Sequence, residues 1–198
     1  MQAEGRTALT VRTWRTLFSV AWFVWILDLA TKMWAVSTLS HRPDIKVFGS
    51  FFQLTLVRNP GAAFSLAEGA TIFLTIFGIF FLCAILYFSP RITSKGWAVV
   101  LGLVMGGILG NLVDRIFREP GFLRGHVIDW IALPHWPIFN LADSAIVVAA
   151  GISVILSARN IAPVAPKDNR PDLRDSAEVV FWSSVLHVTV ARYDSTCL

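Results

Sequence analysis

Cysteine and charge are both scarce in this chain of 198 residues. The two cysteines, Cys83 within an apolar block and Cys197 beside the last residue, argue against a disulfide framework and a cysteine-based metal site. Charged residues make up only 15% of the chain and hydrophobic residues 55%, which argues against an ordinary soluble domain. The net charge of +4 does not indicate nucleic-acid binding, because the basic residues mainly flank apolar blocks, where they orient a membrane protein.

Four apolar blocks are each close to the ~20 residues that span about 30 Å of hydrocarbon. They cover residues 17–36, 70–89, 96–113 and 138–158. This pattern predicts an all-α membrane protein, a four-transmembrane-helix bundle over residues 1–162, followed by a cytoplasmic tail of unknown role over residues 163–198. A cleaved signal peptide is the competing interpretation of the first block, but that block is long and is interrupted by Asp28 and Lys32.

The positions of lysine and arginine near the block ends predict the orientation of the bundle. Basic residues precede the first block, fill the connection between the second and third blocks, and follow the fourth: Arg6, Arg12, Arg15, Arg91, Lys95, Arg159, Lys167 and Arg170. Both termini are therefore expected in the cytoplasm. Residues 37–69 and 116–137 then form an outer cap, in which the aromatic and β-branched run from Phe48 to Arg58, closed by Asn59-Pro60-Gly61, predicts a small β-sheet ending in a turn.

Polar residues from five separate segments are expected at one depth of the membrane, near its outer surface. They come from the first, third and fourth blocks and from both parts of the cap: Asp28, Lys32, Asn111, Asp114, Arg115, Asn140, Asp143, Asn59 and Asp129. A single buried polar site requires such a convergence, and polar residues distributed by chance along the chain would not readily produce it. Carboxylates at a bilayer boundary are costly to keep charged, so Asp129 and Asp143, which both lie in apolar runs, argue for a function.

Several of these residues also have a purely structural interpretation. Asp28 and Lys32, spaced i, i+4, can form an ion pair that lowers the cost of insertion. Asn59 can close a turn, and Asn140 can cap the fourth helix. Arg115, at the end of the third block, can lie at the membrane–water interface with its charge in water and need have no further role. A repeat of small residues, Gly102, Gly106 and Gly110, predicts close helix packing that would also bring Asn111 near a neighbouring helix.

The chain resembles the lipoprotein signal peptidase family, also called signal peptidase II, which are aspartyl proteases of the bacterial inner membrane. The resemblance covers about residues 15 to 160 and runs through five segments: Asp28-Leu-Ala-Thr-Lys32, Asn59-Pro-Gly-Ala-Ala-Phe64, Gly106-Gly-Ile-Leu-Gly-Asn-Leu-Val-Asp-Arg115, Val127-Ile-Asp129 and Phe139-Asn-Leu-Ala-Asp143. Leu29 stands where the family often has a polar residue, and the tail after about residue 163 is longer than is usual in the family.

The resemblance implies that Asp129 and Asp143 are the catalytic pair. It also implies supporting or substrate-binding roles for six residues: Asn59, Asn111, Arg115, Asn140, Asp28 and Lys32. The implied activity removes signal peptides from diacylglyceryl-modified prolipoproteins by cutting before the lipidated cysteine. The chain is then expected to act as a monomer in the inner membrane, with lipidated precursors and membrane lipid as partners and with no cofactor, metal ion or nucleic acid.

Three other functions compete with this interpretation. A metal-dependent membrane hydrolase could use His126 and His135 beside the acids, although the chain has no His-Glu-x-x-His motif. A serine mechanism could use Ser65 or Ser144 with Lys32, but no Gly-x-Ser-x-Gly motif supports it. A small transporter or proton-coupled exchanger would carry its charges nearer the midplane of the membrane and would often show internal repeats.

Overall fold

Four helices and a three-stranded sheet make up the computed structural model, which describes residues 2–61 and 69–165. The helices are α1 (Gln2–Leu39), α2 (Gly69–Phe88), α3 (Lys95–Phe117) and α4 (Leu141–Ala158), and the strands are β1 (Ile45–Phe48), β2 (Phe52–Asn59) and β3 (Val127–Ala132). Each helix is long and apolar enough to cross a membrane. The predicted tail lies outside the described residues from position 166 onward.

Besides an apolar core, the bundle buries several charged side chains and exposes many large apolar ones, which is unusual in a soluble protein. Asp28 and Lys32 have exposed fractions of 0% and 1%, whereas Trp22 and Phe80 have exposed fractions of 63% and 64%. Apolar surface of this kind suits contact with lipid, and buried charges in a membrane bundle are paired with one another. The predicted fold class, a four-helix membrane protein with a small sheet, is confirmed.

Local sequence explains where the helices end. The 3-10 helix Ser89–Arg91 follows α2 and contains Pro90, which cannot continue the α-helical hydrogen bonding. Helix α3 extends beyond the predicted block end at residue 113, so that Arg115 lies within its last turn. Helix α4 begins at Leu141, three residues after the predicted start of the fourth block, because Asn140 caps it.

Helix α3 lies between α1 and α4, and glycines allow this close approach. A Cβ atom built on Gly102 would lie 2.7 Å from the carbonyl oxygen of Leu17, and one on Gly106 would lie 2.7 Å from that of Ala21, both on α1. A Cβ atom on Gly107 would lie 2.6 Å from the carbonyl oxygen of Ala142 on α4. The glycine repeat therefore packs helices closely, as its spacing predicts.

Gly110 is packed most tightly against a charged side chain. Its Cβ atom would overlap the Asp28 carboxylate oxygen and would lie 3.0 Å from Asp28 Cγ and 3.1 Å from Ala142 Cβ. We expect Gly110→Ala to lower stability by about 1–3 kcal/mol, because the added methyl group forces α1 away from α3. Thermal unfolding in detergent micelles, followed by intrinsic fluorescence, measures this loss.

Gly151→Ala is the matched control, because a Cβ atom at Gly151 of α4 would meet nothing within 4 Å. There the change from Gly to Ala should be neutral or stabilise the helix by roughly 0.5–1 kcal/mol. Equal melting temperatures for the two variants would contradict the packing argument.

The three strands form an antiparallel sheet in the order β1-β2-β3. The predicted sheet is present in β1 and β2, joined by a turn with Gly49 at φ +57°. Strand β3 was not predicted, and it pairs with β2 so that Asp129 lies opposite Val57 and Val127 lies opposite Asn59. The backbone N–H of Ile128 donates to Asp114 Oδ2 at 3.2 Å, which ties β3 to the end of α3.

Candidate active site

Asp143 and Asn140 are positioned by the start of α4. The Asn140 side chain accepts a hydrogen bond from the backbone N–H of Asp143 at 3.0 Å, and Asp143 Oδ2 accepts one from the backbone N–H of Asn140 at 3.2 Å. This reciprocal pair is a capping box, which satisfies backbone donors that the first turn of a helix leaves without partners. The predicted cap is confirmed, and it fixes the Asp143 carboxylate at the positive end of the helix.

Asp129 lies on β3 with an exposed fraction of only 2%. Asn59 Nδ2 donates to Asp129 Oδ2 at 2.8 Å, and Asn140 Nδ2 donates to Asp129 Oδ1 at 2.6 Å. Asn59 reaches Asp129 because the sheet register makes them diagonal neighbours on adjacent strands. The pKa of Asp129 is raised to about 6, mainly by burial and in part by the charge of Asp143, against the opposing effects of the two amide donors and of Lys32.

One asparagine thus connects the two acids. The amide nitrogen of Asn140 donates to the carboxylate of Asp129, and its amide oxygen accepts from the backbone of Asp143. Backbone hydrogen bonds between Ile131 of β3 and Phe139, at 2.9 and 3.0 Å, join the sheet to the segment that leads into α4. The backbone N–H of Asn140 in turn donates to Asp143 Oδ2, so Asn140 contacts the carboxyl groups of both acids.

Asn111 connects the acids to a buried cation. Lys32 Nζ donates to Asn111 Oδ1 at 3.0 Å, and Asn140 Nδ2 donates to the same oxygen at 3.1 Å. With its oxygen held by two donors, the amide of Asn111 directs its nitrogen to Asp143 Oδ1, at 2.7 Å. The positive charge of Lys32 therefore sets the orientation of an amide that donates to Asp143.

A buried ion network lies beneath these amides. Lys32 Nζ is 2.7 Å from Asp28 Oδ2, which is the predicted i, i+4 pair, and 2.9 Å from Asp114 Oδ2. Asp28 Oδ1 also accepts from the backbone N–H of Ala142 at 2.9 Å, so α1 satisfies a first-turn donor of α4. Arg118 pairs with the other oxygen of Asp114. Each charge of this network consequently has a partner of opposite sign, as a membrane interior favours.

Arg115 brings a second positive charge to the acids. The carboxylate of Asp129 interacts most strongly with its charge, followed by those of Asp143 and Asp114. Its Nη1 atom is buried and has no hydrogen-bond partner within the part of the chain that the structure describes. A buried guanidinium nitrogen without an acceptor, next to two carboxylates, can donate to a ligand that carries a carbonyl oxygen.

The eight residues expected from the sequence to form the site are all connected here by hydrogen bonds, ion pairs or charge. Asp114, a central member of the ion network, was expected at the same depth but only as a helix-end charge beside Arg115, not as a site residue. The spacing of Asp114 and Arg118, i, i+4 at the end of α3, is a signal that could have identified it. The pair resembles an ordinary helix-end couple in the sequence, because the contact with Lys32 joins residues far apart in the chain.

The residues of the competing functions lie elsewhere or have other partners. Ser144 Oγ donates to the backbone oxygen of Asn140 at 2.9 Å, and Lys32 is occupied by two carboxylates. Ser65 lies outside the described residues. His135 is exposed and His126 is half-buried. Across residues 2–61 and 69–165, no group of three or more His, Cys, Asp or Glu side chains is placed to hold a metal ion.

Comparison with known proteins relates the chain to one family. The family described as signal peptidase (SPase) II matches residues 20–159. The lipoprotein signal peptidase of Leifsonia xyli subsp. xyli is 45% identical over 160 residues, covering 80% of this chain and 74% of that protein. The lipoprotein signal peptidase of Mycobacterium avium is 46% identical over 146 residues, covering 74% of this chain and 80% of that protein.

Solved structures agree with this relationship. A bacterial membrane enzyme determined by the in meso method at 1.9 Å resolution has a TM-score of 0.63 and 31% sequence identity, covering 72% of this chain and 92% of its own. A second bacterial membrane enzyme, determined at 2.3 Å, has a TM-score of 0.63 and 28% identity, covering 78% and 94%. The resemblance found in the sequence motifs is confirmed, and the chain belongs to the signal peptidase II family.

Proposed function

We propose that this chain is an aspartyl endopeptidase that removes signal peptides from diacylglyceryl-modified prolipoproteins by cutting before the lipidated cysteine. Family membership supports cleavage of signal peptides from lipoprotein precursors. One observation carries the aspartyl mechanism: Asn140 donates hydrogen bonds to the carboxylates of both acids, to Asp129 from its amide nitrogen and to Asp143 from its backbone N–H. Two carboxyl groups held by one residue in a buried site cannot both ionise cheaply, so they share a proton.

Hydrolysis by such a pair needs no covalent enzyme intermediate. The ionised carboxylate accepts a proton from a water molecule as the water oxygen attacks the scissile carbonyl carbon. The protonated carboxyl group donates a hydrogen bond to the developing oxyanion. The tetrahedral intermediate then collapses with cleavage of the C–N bond, and the proton taken from water passes to the leaving amine. Both carboxyl groups end in their starting protonation states.

The surrounding amides and Arg115 have distinct roles in this mechanism. Asn59, Asn111 and Asn140 donate hydrogen bonds to the acids and hold their orientation. Arg115, through its unpartnered Nη1, binds a backbone carbonyl of the substrate near the scissile bond. Lys32 and Asp28 act through Asn111 and through the first turn of α4, so they are positioning residues and do not touch the substrate.

The position of the acids suits a lipid-anchored substrate. Asp143 lies in the first turn of α4 and Asp129 lies in the sheet, so both are at the ends of the helices and not at their middle. A lipidated cysteine keeps its acyl chains in the bilayer, which presents the neighbouring peptide bond at the membrane surface. We place this end of the bundle on the extracytoplasmic side, because the basic residues collect at the other end.

The decisive experiment compares one precursor peptide in two forms, with and without the diacylglyceryl group on its cysteine. Purified full-length chain in detergent micelles should cleave the lipidated form immediately before the cysteine and leave the other form intact. A parallel reaction in excess chelator should proceed at the same rate. Equal cleavage of both forms would refute the substrate assignment, and loss of activity in chelator would favour the metal-dependent alternative.

The pH dependence of cleavage provides a separate prediction. Since the pKa of Asp129 is raised to about 6, this group loses its proton as the pH rises through that value, and the shared proton is lost with it. We expect kcat/KM for the lipidated peptide to fall above pH ~6. The Asn59 amide favours the ionised form of Asp129, so Asn59→Ala should raise the pKa and move this decline to higher pH.

Gln53→Ala is the control for this shift, because Gln53 lies on the same strand but contacts the backbone of Ser50 at the exposed hairpin. Its profile should coincide with that of the unaltered chain. A rate that instead increases through pH 6 to a plateau would refute the requirement for a protonated acid.

Arg115→Ala tests the proposed contact with the substrate. We expect cleavage to fall by about 10- to 100-fold, as for loss of one charge-assisted hydrogen bond to a ligand, and Arg115→Lys to restore only part of it. Steady-state kinetics with the lipidated peptide separate the effects on KM and kcat. Unchanged kinetic constants in a folded Arg115→Ala protein would remove this residue from the mechanism.

A further inference from the structure

An apolar groove lies between α1, α2 and α3 and takes no part in the mechanism above. Its volume is about 560 Å³, and its walls include Phe18, Trp22 and Trp25 of α1, Leu82 and Leu86 of α2, and Met105 of α3. A groove of this volume and apolar lining in a membrane-spanning bundle can hold an acyl chain.

One end of the groove is marked by Arg15. Relative to Arg15, the groove residues Phe18, Ser19 and Trp22 are at positions i+3, i+4 and i+7, so all four lie on one face of α1. Arg15 is exposed. Arg15 therefore lies on the groove face of α1, one turn before Phe18 and Ser19, at the end of the groove that we call its mouth.

Arg91 lies at the same mouth. Thr13 Oγ1 on α1 donates to the backbone oxygen of Ile92 at 2.9 Å, which places the connection after α2 beside the turn of α1 that precedes Arg15. The guanidinium carbon of Arg91 lies 5.0 Å from the centroid of the Tyr87 ring and 5.3 Å from that of Phe88. Arg91 Nη2 also donates to the Tyr87 hydroxyl at 3.5 Å, and the remaining N–H groups of the guanidinium can donate to an anion.

Neither arginine has a carboxylate partner in the described part of the chain. All three ion pairs recorded there belong to the network of Asp28, Lys32, Asp114 and Arg118. Other exposed basic residues, Arg12, Lys95 and Arg159, are at the same end of the bundle as Arg15 and Arg91, whereas every described acidic side chain is at the other end or in the cap. This end therefore presents positive charge beside an apolar groove.

We propose that the groove binds one membrane phospholipid with an anionic headgroup. Its phosphate contacts Arg15 and Arg91, and one acyl chain lies along Phe18, Trp22 and Trp25. Positive charge complements the anionic headgroup, and arginine offers paired N–H donors that match a phosphate. The proposal is independent of the peptidase mechanism, because no residue of the site participates in it.

Tryptophan quenching tests this directly, since Trp22 and Trp25 line the groove. The full-length chain in nonionic detergent is titrated with phosphatidylglycerol or phosphatidylcholine, each carrying brominated acyl chains. Phosphatidylglycerol should reach half-maximal quenching at a concentration about tenfold lower than phosphatidylcholine, because two arginines favour the anionic headgroup. Ser19→Phe, which narrows the groove, should weaken quenching by both lipids.

Charge variants distinguish binding of the lipid at this groove from general electrostatic attraction between anionic lipid and the basic end of the bundle. Arg15→Gln combined with Arg91→Gln should abolish the preference for phosphatidylglycerol, and Arg15→Lys combined with Arg91→Lys should retain most of it. Arg159→Gln is the matched control, because it removes a charge at the same end but follows α4, which does not line the groove. It should leave the preference unchanged.

Several results would overturn the proposal. Equal quenching by the two lipids would refute the preference for an anionic headgroup. An equal effect of Arg159→Gln and of the double Gln variant would refute the specific role of the two arginines. Quenching that weakens as the protein concentration is raised would identify a second copy of the chain as the occupant. If the double Gln variant does not fold, high ionic strength with the unaltered chain replaces it. Added salt should then remove the preference between the two lipids, and a preference that persists refutes the arginine contacts.

Discussion

Asp129→Asn and Asp143→Asn should each reduce cleavage of the lipidated peptide by at least about 10³-fold, because each removes one member of the proposed acid–base pair. Asparagine has nearly the same shape as aspartate, so the loss reports on proton transfer and not on packing. Single-turnover cleavage, measured with excess enzyme, detects the residual rate. The double variant should be no less active than either single variant, since groups that act as one unit are not additive in their effects.

Asp44→Asn is the matched control, because Asp44 is exposed in the connection between α1 and β1. Its activity should be unchanged. Thermal unfolding of all the variants shows whether each is folded. Near-normal turnover by a folded Asp129→Asn or Asp143→Asn protein would refute the dyad, whatever the substrate. A dyad variant without activity but with an unchanged affinity for the lipidated peptide would separate catalysis from binding.

Much of the fold could be predicted because its signals are local. Apolar runs specify the four helices, and Asn140 with Asp143 three residues later specifies the capped start of α4. The i, i+4 pair of Asp28 and Lys32 depends only on helical geometry, and it forms at 2.7 Å. The glycine repeat likewise predicts close packing without identifying which helices pack.

Strand β3 could not be predicted in this way, because it depends on a partner that is distant in the chain. Its residues 127–132 gain their extended structure from pairing with β2 and from the bond between Ile128 N–H and Asp114. Sequence alone placed Asp129 in a connection of mixed polarity. In the structure, β-sheet register decides that Asn59 reaches Asp129, and register is set by tertiary packing.

The same limit applies to the polar network beneath the acids. Helical spacing in the sequence predicts a contact of Lys32 with Asp28 alone, but Lys32 also contacts Asp114 and Asn111 on α3. Those contacts exist because Gly106 and Gly110 allow α1 to lie against α3. The glycines therefore contribute to the site indirectly, since they bring a cation to the amide that donates to Asp143.

Lys32→Met should cause the largest loss of stability of any single change in the chain's polar network. The substitution keeps the length of the side chain but leaves Asp28 without a cation and deprives Asp114 of one of its two. Removing one partner from a buried ion pair costs about 3–5 kcal/mol, because the remaining charge is desolvated and unpaired. Thermal unfolding in detergent micelles should show this loss, and cleavage should fall as well, since Asn111 loses the donor that orients it.

Two comparisons isolate the buried charge as the cause. Arg118→Gln removes the other cation that contacts Asp114, but the Arg118 side chain is 27% exposed, so its loss should cost much less than that of Lys32. Combining Lys32→Met with Asp28→Asn and Asp114→Asn removes all three charges and keeps oxygen acceptors for the N–H groups of Ala142 and Ile128. This triple variant should be more stable than Lys32→Met alone. If it is less stable, the cost of the single change comes from lost packing and not from unpaired charge.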